Sequence, residues 1–311
     1  MNIVFLDHAT MGAVSLAPIE ALGALTVYDN TANAQAIERC KKAEVIICNK
    51  VRMSKEVMDA LPKLRLICIA ATGMNNVDLE YAAAKNILVK NVANYSTASV
   101  AQVTFALLLP LMHNICYLDS FVKSGNYAHA AMFTHHGHAF FELSGKQLGI
   151  IGMGNIGKRV AGIAEAFGAQ VAYYSTTGKN HSAAYPSLSL NELLQTSDVI
   201  SIHAPLNDST NNLIAYPQLQ LMKPSAYLVN IGRGRIVNEP DLARALNENL
   251  IAGAALDVFV NEPIHTDNPL LHINNKEKLI MTPHIGWASV EARRRLVDKI
   301  AENIRTYASS R

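Results

Sequence analysis

Charge is scarce in this sequence. Only 17% of its 311 residues are Asp, Glu, Lys or Arg, and 27 basic against 25 acidic side chains leave a formal net charge of +2. So small an excess gives neither a polyanion-binding surface nor a chain kept open by its own charge. The densest basic run, Arg293-Arg294-Arg295, lies beside Glu291 and Asp298 on a helical pattern, which reads as a solvated helix face and not as a nucleic-acid site. Long apolar runs are missing too. No stretch reaches the roughly eighteen residues of a membrane helix, so no membrane span is expected. Residues 1–7 (MNIVFLD) have neither the basic start nor the apolar length of a signal peptide. Cysteine is limited to Cys40, Cys48, Cys68 and Cys116, which show no metal-binding or redox spacing. Cys48 and Cys68 sit inside apolar runs, where a thiol serves as a small core residue. A reduced, cytoplasmic protein is expected.

Half of the chain is apolar and no segment is of low complexity, so it has material for more than one core. Short apolar runs at 3–6, 45–48, 66–70 and 87–89 alternate with helical patterns at 34–41, 55–60 and 77–84. Further strand-like runs follow at 147–151, 170–174, 199–203, 226–230, 253–257 and 279–281. Continuous apolar strands separated by helices specify parallel α/β sheets covered on both faces. An amphipathic, strand-free stretch from 99 to 124 divides the chain, and a last helical pattern at 289–308 follows the last strand. Two doubly wound parallel-sheet domains are therefore expected. The first comprises residues 1–98 and 288–311, and the second, 99–287, is inserted into it.

The strongest single motif is Gly152-Met153-Gly154-Asn155-Ile156-Gly157, between the strand ending at 151 and a helical run. Gly152 suits the tight turn, Gly154 the approach of backbone to a pyrophosphate, and Gly157 close packing of helix on strand. The helix N-terminus adds free amides and a positive dipole end. This is the fingerprint of a dinucleotide-binding Rossmann domain. About twenty residues on, an acid normally receives the adenosine ribose hydroxyls. Ser175 stands there instead, followed by Thr176, Thr177, Gly178 and Lys179. Nothing in this run repels a 2′-phosphate, yet no arginine welcomes one, so NAD and NADP both remain open.

Three polar residues follow later strands, where ligands of doubly wound sheets collect. Arg233 lies between glycines after the run 226–230, Glu262 precedes Pro263, and His284 follows the run 279–281. Singly, they read as a surface ion pair, a helix cap and a satisfied polar side chain. Together they suit a carboxylate clamp and an acid–base pair.

On these motifs the sequence resembles the D-2-hydroxyacid dehydrogenase family. The likeness runs in order through residues 70–78 (AATGMNNVD), 95–101 (YSTASVA), 149–157 (GIIGMGNIG), 203–205 (HAP), 229–234 (VNIGRG), 255–263 (ALDVFVNEP) and 282–287 (TPHIGW). It implies a Rossmann domain inserted in a flavodoxin-like substrate domain, and hydride transfer between NAD or NADP and a small 2-hydroxy or 2-keto acid. It further implies His284 as general acid–base, Glu262 as its carboxylate partner, and Arg233 as clamp on the substrate carboxylate and carbonyl. Amides of Thr72, Gly73 and Met74 would hold the other side of that carboxylate. Asp257 would take the nicotinamide carboxamide, with Thr104, Asn155, Ile156, Ser175, His203, Pro205, Ile231 and Gly286 lining the cofactor beside the three motif glycines. The chain departs from the pattern at Ser175 and at Gln102, where many members carry Glu.

Residues 49–52 (NKVR) resemble glycerate dehydrogenase and hydroxypyruvate reductase members more than lactate ones. Formate dehydrogenases share the architecture but lack the glutamate partner. The runner-up is a dinucleotide-sensing interaction protein of the corepressor type, which keeps the same trio. The short C-terminus, without a regulatory tail, favours the enzyme. The resemblance also implies a homodimer, for which the apolar residues of 100–118 (Phe105, Leu107, Leu108, Leu109, Leu111, Met112, Leu118) offer surface that one helix cannot bury locally. His135, His136 and His138 are expected in a loop near the cleft or a dimer contact, with no metal, and Asp7 and His8 as polar loop residues.

Overall fold

A computed structural model describes residues 1–179 and 182–310; Arg311, the end of the expected first domain, lies outside them. The chain divides into two compact units, Met1–Ser96 with Trp287–Arg311, and Thr97–Gly286.

The first unit carries β1 (Asn2–Phe5), β2 (Ala24–Val27), β3 (Val45–Cys48), β4 (Leu66–Ile69) and β5 (Leu88–Lys90). They form one parallel sheet in the order β2-β1-β3-β4-β5, the flavodoxin-like winding. β3 and β4 are buried at every residue, because helices cover both faces, and so their sequences are unbroken apolar runs. β2 escaped the pattern reading. It is an edge strand with only one half-buried residue and three exposed ones, so burial imposes no apolar signature on it. The helix Val290–Ser309 packs Ala292, Leu296, Val297, Ile300, Ala301 and Ile304 into this unit's core at helical spacing. Each large aliphatic side chain there stabilises by about 2 kcal/mol. Arg293 and Arg295 are not simply solvated, contrary to the sequence reading. Arg293 donates to the carbonyls of Met11, Ala13 and Ala288, and Arg295 to that of Tyr95, pinning loops of the same unit.

The second unit carries β6 (Gln147–Ile151), β7 (Gln170–Tyr174), β8 (Val199–Ile202), β9 (Tyr227–Asn230), β10 (Gly253–Leu256) and β11 (Leu279–Met281). The parallel order is β11-β10-β9-β8-β6-β7. Beyond β7 a single parallel bridge, Tyr173 to Ser187, stands where a doubly wound nucleotide fold has its third strand. The strand order therefore reverses between β6 and β8, which places a ligand crevice at their carboxyl ends.

The strand-free stretch is two helices, Thr97–Met112 and Ile115–Lys123, bent by 62° at a break where Asn114 takes φ +52°. In its first helix the expected surplus of apolar surface is not found: Val100, Phe105, Leu107, Leu108, Leu111 and Met112 are buried in the second unit's own core, while Leu118 on the second helix is half-buried. Exposed apolar side chains stand instead on the second helix, at Ile115 and Val122, and beyond it at Met132, Phe133, Phe140 and Phe141. Among the described residues no single helix is long and apolar enough to cross a membrane. Cys40, Cys48 and Cys68 are buried free thiols, and burial pushes that of Cys68 up to about 12.

Candidate active site

The turn after β6 is shaped by the fold at two of its glycines and by nothing in the chain at the third. Gly152 has φ +97°, and a Cβ there would come within 2.8 Å of the Ala204 nitrogen at the end of β8. A Cβ on Gly157 would stand 2.3 Å from the Gly152 carbonyl oxygen, so helix Asn155–Ala166 could not seat so closely on β6. A Cβ on Gly154 would meet no atom within 4 Å. The open space lies at the N-terminus of a twelve-residue helix whose cap makes no side-chain hydrogen bond. A positive dipole end and room for close approach fit a pyrophosphate.

Two polar atoms beyond the neighbouring strands fit the same ligand. The Ser175 hydroxyl, just past β7, and Nδ1 of His203, just past β8, are buried without a partner among the described residues. Buried polar atoms are normally paired, so each invites an outside group. The His203 Nε2 lies 2.8 Å from the Ser201 hydroxyl. Burial pushes the His203 pKa down to about 4, which leaves a neutral ring at physiological pH.

The other half of the site stands on β9, β10 and β11. Asn230, Leu256 and Met281 are in register across these strands. Arg233, Phe259 and His284 each follow three residues later, so parallel pairing carries their loops out on one end of the sheet. Arg233 donates from Nη1 to the Gly232 carbonyl at 2.7 Å, while Asn230 Nδ2 holds the Arg233 carbonyl at 2.9 Å. No acid among the described residues forms an ion pair with Arg233, which removes the surface-pair reading.

His284 takes φ +55°, a left-handed conformation costing about 1–2 kcal/mol for a residue with a Cβ. Asp257, buried at the end of β10, holds it there. Its carboxylate accepts from the Thr282 hydroxyl at 2.6 Å and from the amides of Ile285 and Gly286 at 2.8 and 2.7 Å. The Ser99 hydroxyl ties down the Gly286 carbonyl at 2.6 Å. In this setting His284 Nδ1 lies 2.7 Å from Glu262 Oε2, and Glu262 Oε1 accepts from the Phe259 amide at 3.0 Å. A carboxylate on Nδ1 fixes ring and tautomer and leaves Nε2 to exchange a proton with a ligand.

Residues 105–286 match the sequence profile of the D-isomer specific 2-hydroxyacid dehydrogenase, NAD binding domain. The chain belongs to this family. A hydroxypyruvate reductase of Blautia hydrogenotrophica is 37% identical over 99% of the chain and 97% of its own length. Among solved structures, a D-lactate dehydrogenase from Aquifex aeolicus, complexed with NAD and lactic acid, superposes with a TM-score of 0.87 at 28% identity, covering 100% of this chain and 96% of that one. An NADPH-dependent glyoxylate/hydroxypyruvate reductase from Sinorhizobium meliloti, in complex with NADP and malonate, gives 0.84 at 26%, covering 99% and 94%. The chain is thus an NAD(P)-dependent oxidoreductase acting on the CH–OH group of small 2-hydroxy acids, and the corepressor reading finds no support in these relatives.

The remaining expected residues of this dehydrogenase divide clearly. Gly154, Asn155, Ile156, Ser175, His203 and Pro205 are at least partly accessible at the carboxyl ends of β6, β7 and β8, and Ile231 is nearly buried beside Gly286. Thr104 is not available. It is 0% exposed, and its hydroxyl donates to the Val100 carbonyl of its own helix. Thr72, Gly73 and Met74 belong to the first unit, just beyond β4, and no described hydrogen bond takes up their three amides. His135 pairs through Nε2 with the Tyr117 hydroxyl at 2.9 Å and stacks on Phe121, while His138 packs edge-on against Tyr117. Glu239 escaped the sequence reading. It is a buried carboxylate bonded to the loop that carries Glu262. In sequence it looks like any acid in the first turn of a helix.

Proposed function

We propose that this dehydrogenase reduces short 2-keto acids, hydroxypyruvate and glyoxylate foremost, and that it accepts NADPH at least as well as NADH. The observation that carries the reading is the 2.7 Å pair of His284 and Glu262, at the same sheet end as Arg233. The nicotinamide cofactor, when bound, supplies the hydride. His284 delivers the proton to the carbonyl oxygen from Nε2, with Glu262 fixing the ring through Nδ1. Arg233 clamps the substrate carboxylate and stabilises negative charge growing on the reacting oxygen. The amides of Thr72, Gly73 and Met74 hold a carboxylate oxygen. The amides at Asn155 and Ile156 hold the pyrophosphate, with Ser175, His203, Pro205, Ile231 and Gly286 along the cofactor. Asp257 has three of its roughly four acceptor positions filled from within the chain, and the last serves the nicotinamide carboxamide.

The cofactor preference rests on Ser175, Thr176, Thr177 and Lys179, which carry hydroxyls and a cation where an acid would repel a 2′-phosphate. Turnover of a panel of 2-keto acids with each cofactor tests the reading; a chain reducing none of them ends it. In Ser175→Asp, kcat/KM should fall more with NADPH than with NADH, by about tenfold or more for one uncompensated charge. Equal losses would show that Ser175 does not face the 2′ position.

The working form is a homodimer in a reducing compartment such as the cytoplasm. Three buried thiols suit the compartment. The exposed run of Ile115, Val122, Met132, Phe133 and Phe141, with Phe133 90% exposed, suits burial against a second copy. Light scattering should find about twice the 33.8 kDa chain mass at micromolar concentration. A Phe133→Asp, Phe141→Asp double variant should shift it toward monomer. A wild-type monomer would end the dimer reading.

A further inference from the structure

Buried carboxylates are rare unless paired, and Glu239 is only 5% exposed with no basic partner among the described residues. Neutral donors satisfy it. Oε1 accepts from the Val260 amide at 2.6 Å, and Oε2 from Asn268 Nδ2 at 2.7 Å. Asn268 is itself buried and oriented, because its Oδ1 accepts from the Leu270 amide at 3.0 Å. The peptide beside Val260 is the one that matters chemically, since the Phe259 amide donates to Glu262 Oε1. Adjacent amides thus reach two carboxylates, one facing His284 and one facing the interior. Backbone crowding supports the same spot: a Cβ on Gly234 would stand 1.9 Å from the Phe259 carbonyl carbon. Glu239 thus holds this loop at Val260 and at Asn268, and Glu262 lies between those two points.

We propose that Glu239 is a positioning residue of the acid–base pair, holding the Phe259–Val260 backbone and Asn268 so that Glu262 stays in hydrogen-bond reach of His284. The proposal deepens the proposed function and rests on the role given there to His284. Glutamine cannot replace Glu239 alone. One atom of its amide would accept from Val260, but the other would set N–H against the N–H of Asn268, whose flip is blocked by Leu270. The pair Glu239→Gln, Asn268→Asp restores every bond with donor and acceptor exchanged and keeps one buried negative charge.

The charged or titratable groups on the three loops that follow β9, β10 and β11 are Arg233 and Arg235 after β9, and Asp257, Glu262, His265 and Asp267 after β10, with Glu239 bonded behind them. Of these, Glu262 is the one bonded to the ring. The test follows the His284 ring by NMR titration without substrate, its signal assigned with His284→Ala, and compares kcat/KM for keto-acid reduction across pH. Glu262→Gln sets the reference for a lost partner. Glu239→Gln should move the His284 midpoint toward that of the reference and lower kcat/KM near neutrality about tenfold. The exchanged pair should return both to within about threefold of wild type, a recovery expected when no bond is lost.

A Glu239→Gln protein that is merely less heat-stable, with the His284 midpoint unmoved, overturns the proposal. So does an exchanged pair that folds without recovering. If Glu239→Gln does not fold, the exchanged pair decides by itself: wild-type midpoint supports the proposal, and misfolding or a shifted midpoint overturns it. The titration needs no substrate. A wild-type chain reducing no 2-keto acid therefore ends the proposed function, while an unmoved midpoint ends only the role of Glu239.

Discussion

Replacing His284 with alanine should lower 2-keto-acid turnover by about 10²–10⁴-fold, the range for loss of a positioned general acid, and leave dinucleotide affinity nearly intact. The split follows from the geometry. The residues fitted to the pyrophosphate and ribose stand on β6, β7 and β8, whereas His284 follows β11 at the far side of the sheet. Alanine carries its own complication, because position 284 has φ +55° and alanine has no special tolerance for that region. Asparagine does tolerate it, so His284→Asn separates the loss of a proton donor from local rearrangement. Both variants should lose turnover alike, and the asparagine form should match wild type in NADPH binding followed by fluorescence. A variant retaining more than about a tenth of wild-type turnover would remove His284 as the proton donor, since even modest general acid catalysis exceeds that factor.

What the sequence made legible depended on whether burial wrote a pattern into it. β3, β4, β8 and β10 are enclosed on both faces, and all four stand out as short apolar runs. β2, exposed along an edge, left no such trace. The break at Asn114 was hidden because its cause is a left-handed backbone angle at a residue that also occurs in ordinary turns. The apolar residues after position 100 were visible, but hydrophobicity does not say what will cover a surface, and here the chain's own core does. The proposed acid–base pair was legible through its motifs alone. Twenty-odd residues separate Glu262 from His284, and only the register of β10 with β11 brings them together. Glu239 shows the limit most clearly. Its burial and its bond to Val260 arise from tertiary packing around Gly234 and Phe259, which no local pattern encodes.

Arg233→Lys should cost about 10²–10³-fold in kcat/KM for the keto acid, although the charge is conserved. The reason is shape. A guanidinium offers two parallel N–H bonds to a carboxylate while another N–H stays on a protein acceptor, and Arg233 already spends one donor on the Gly232 carbonyl at 2.7 Å. A lysine ammonium is a point charge with three donors on a flexible stem, so it can neutralise the carboxylate but cannot hold its plane against the reacting carbon. Loss of orientation should appear in kcat as well as in KM, because the role proposed for this guanidinium includes stabilising charge that develops on the carbonyl oxygen only in the transition state. Oxamate, an unreactive analogue of a 2-keto acid, distinguishes the two contributions. Its inhibition constant should rise about tenfold in Arg233→Lys, less than kcat/KM falls, since oxamate reports ground-state binding alone. The affinity for NADPH should stay within about twofold, because Arg233 lies outside the proposed pyrophosphate and ribose contacts. If KM, kcat and oxamate binding are all unchanged, Arg233 is not the clamp, and the substrate carboxylate must be held by other donors.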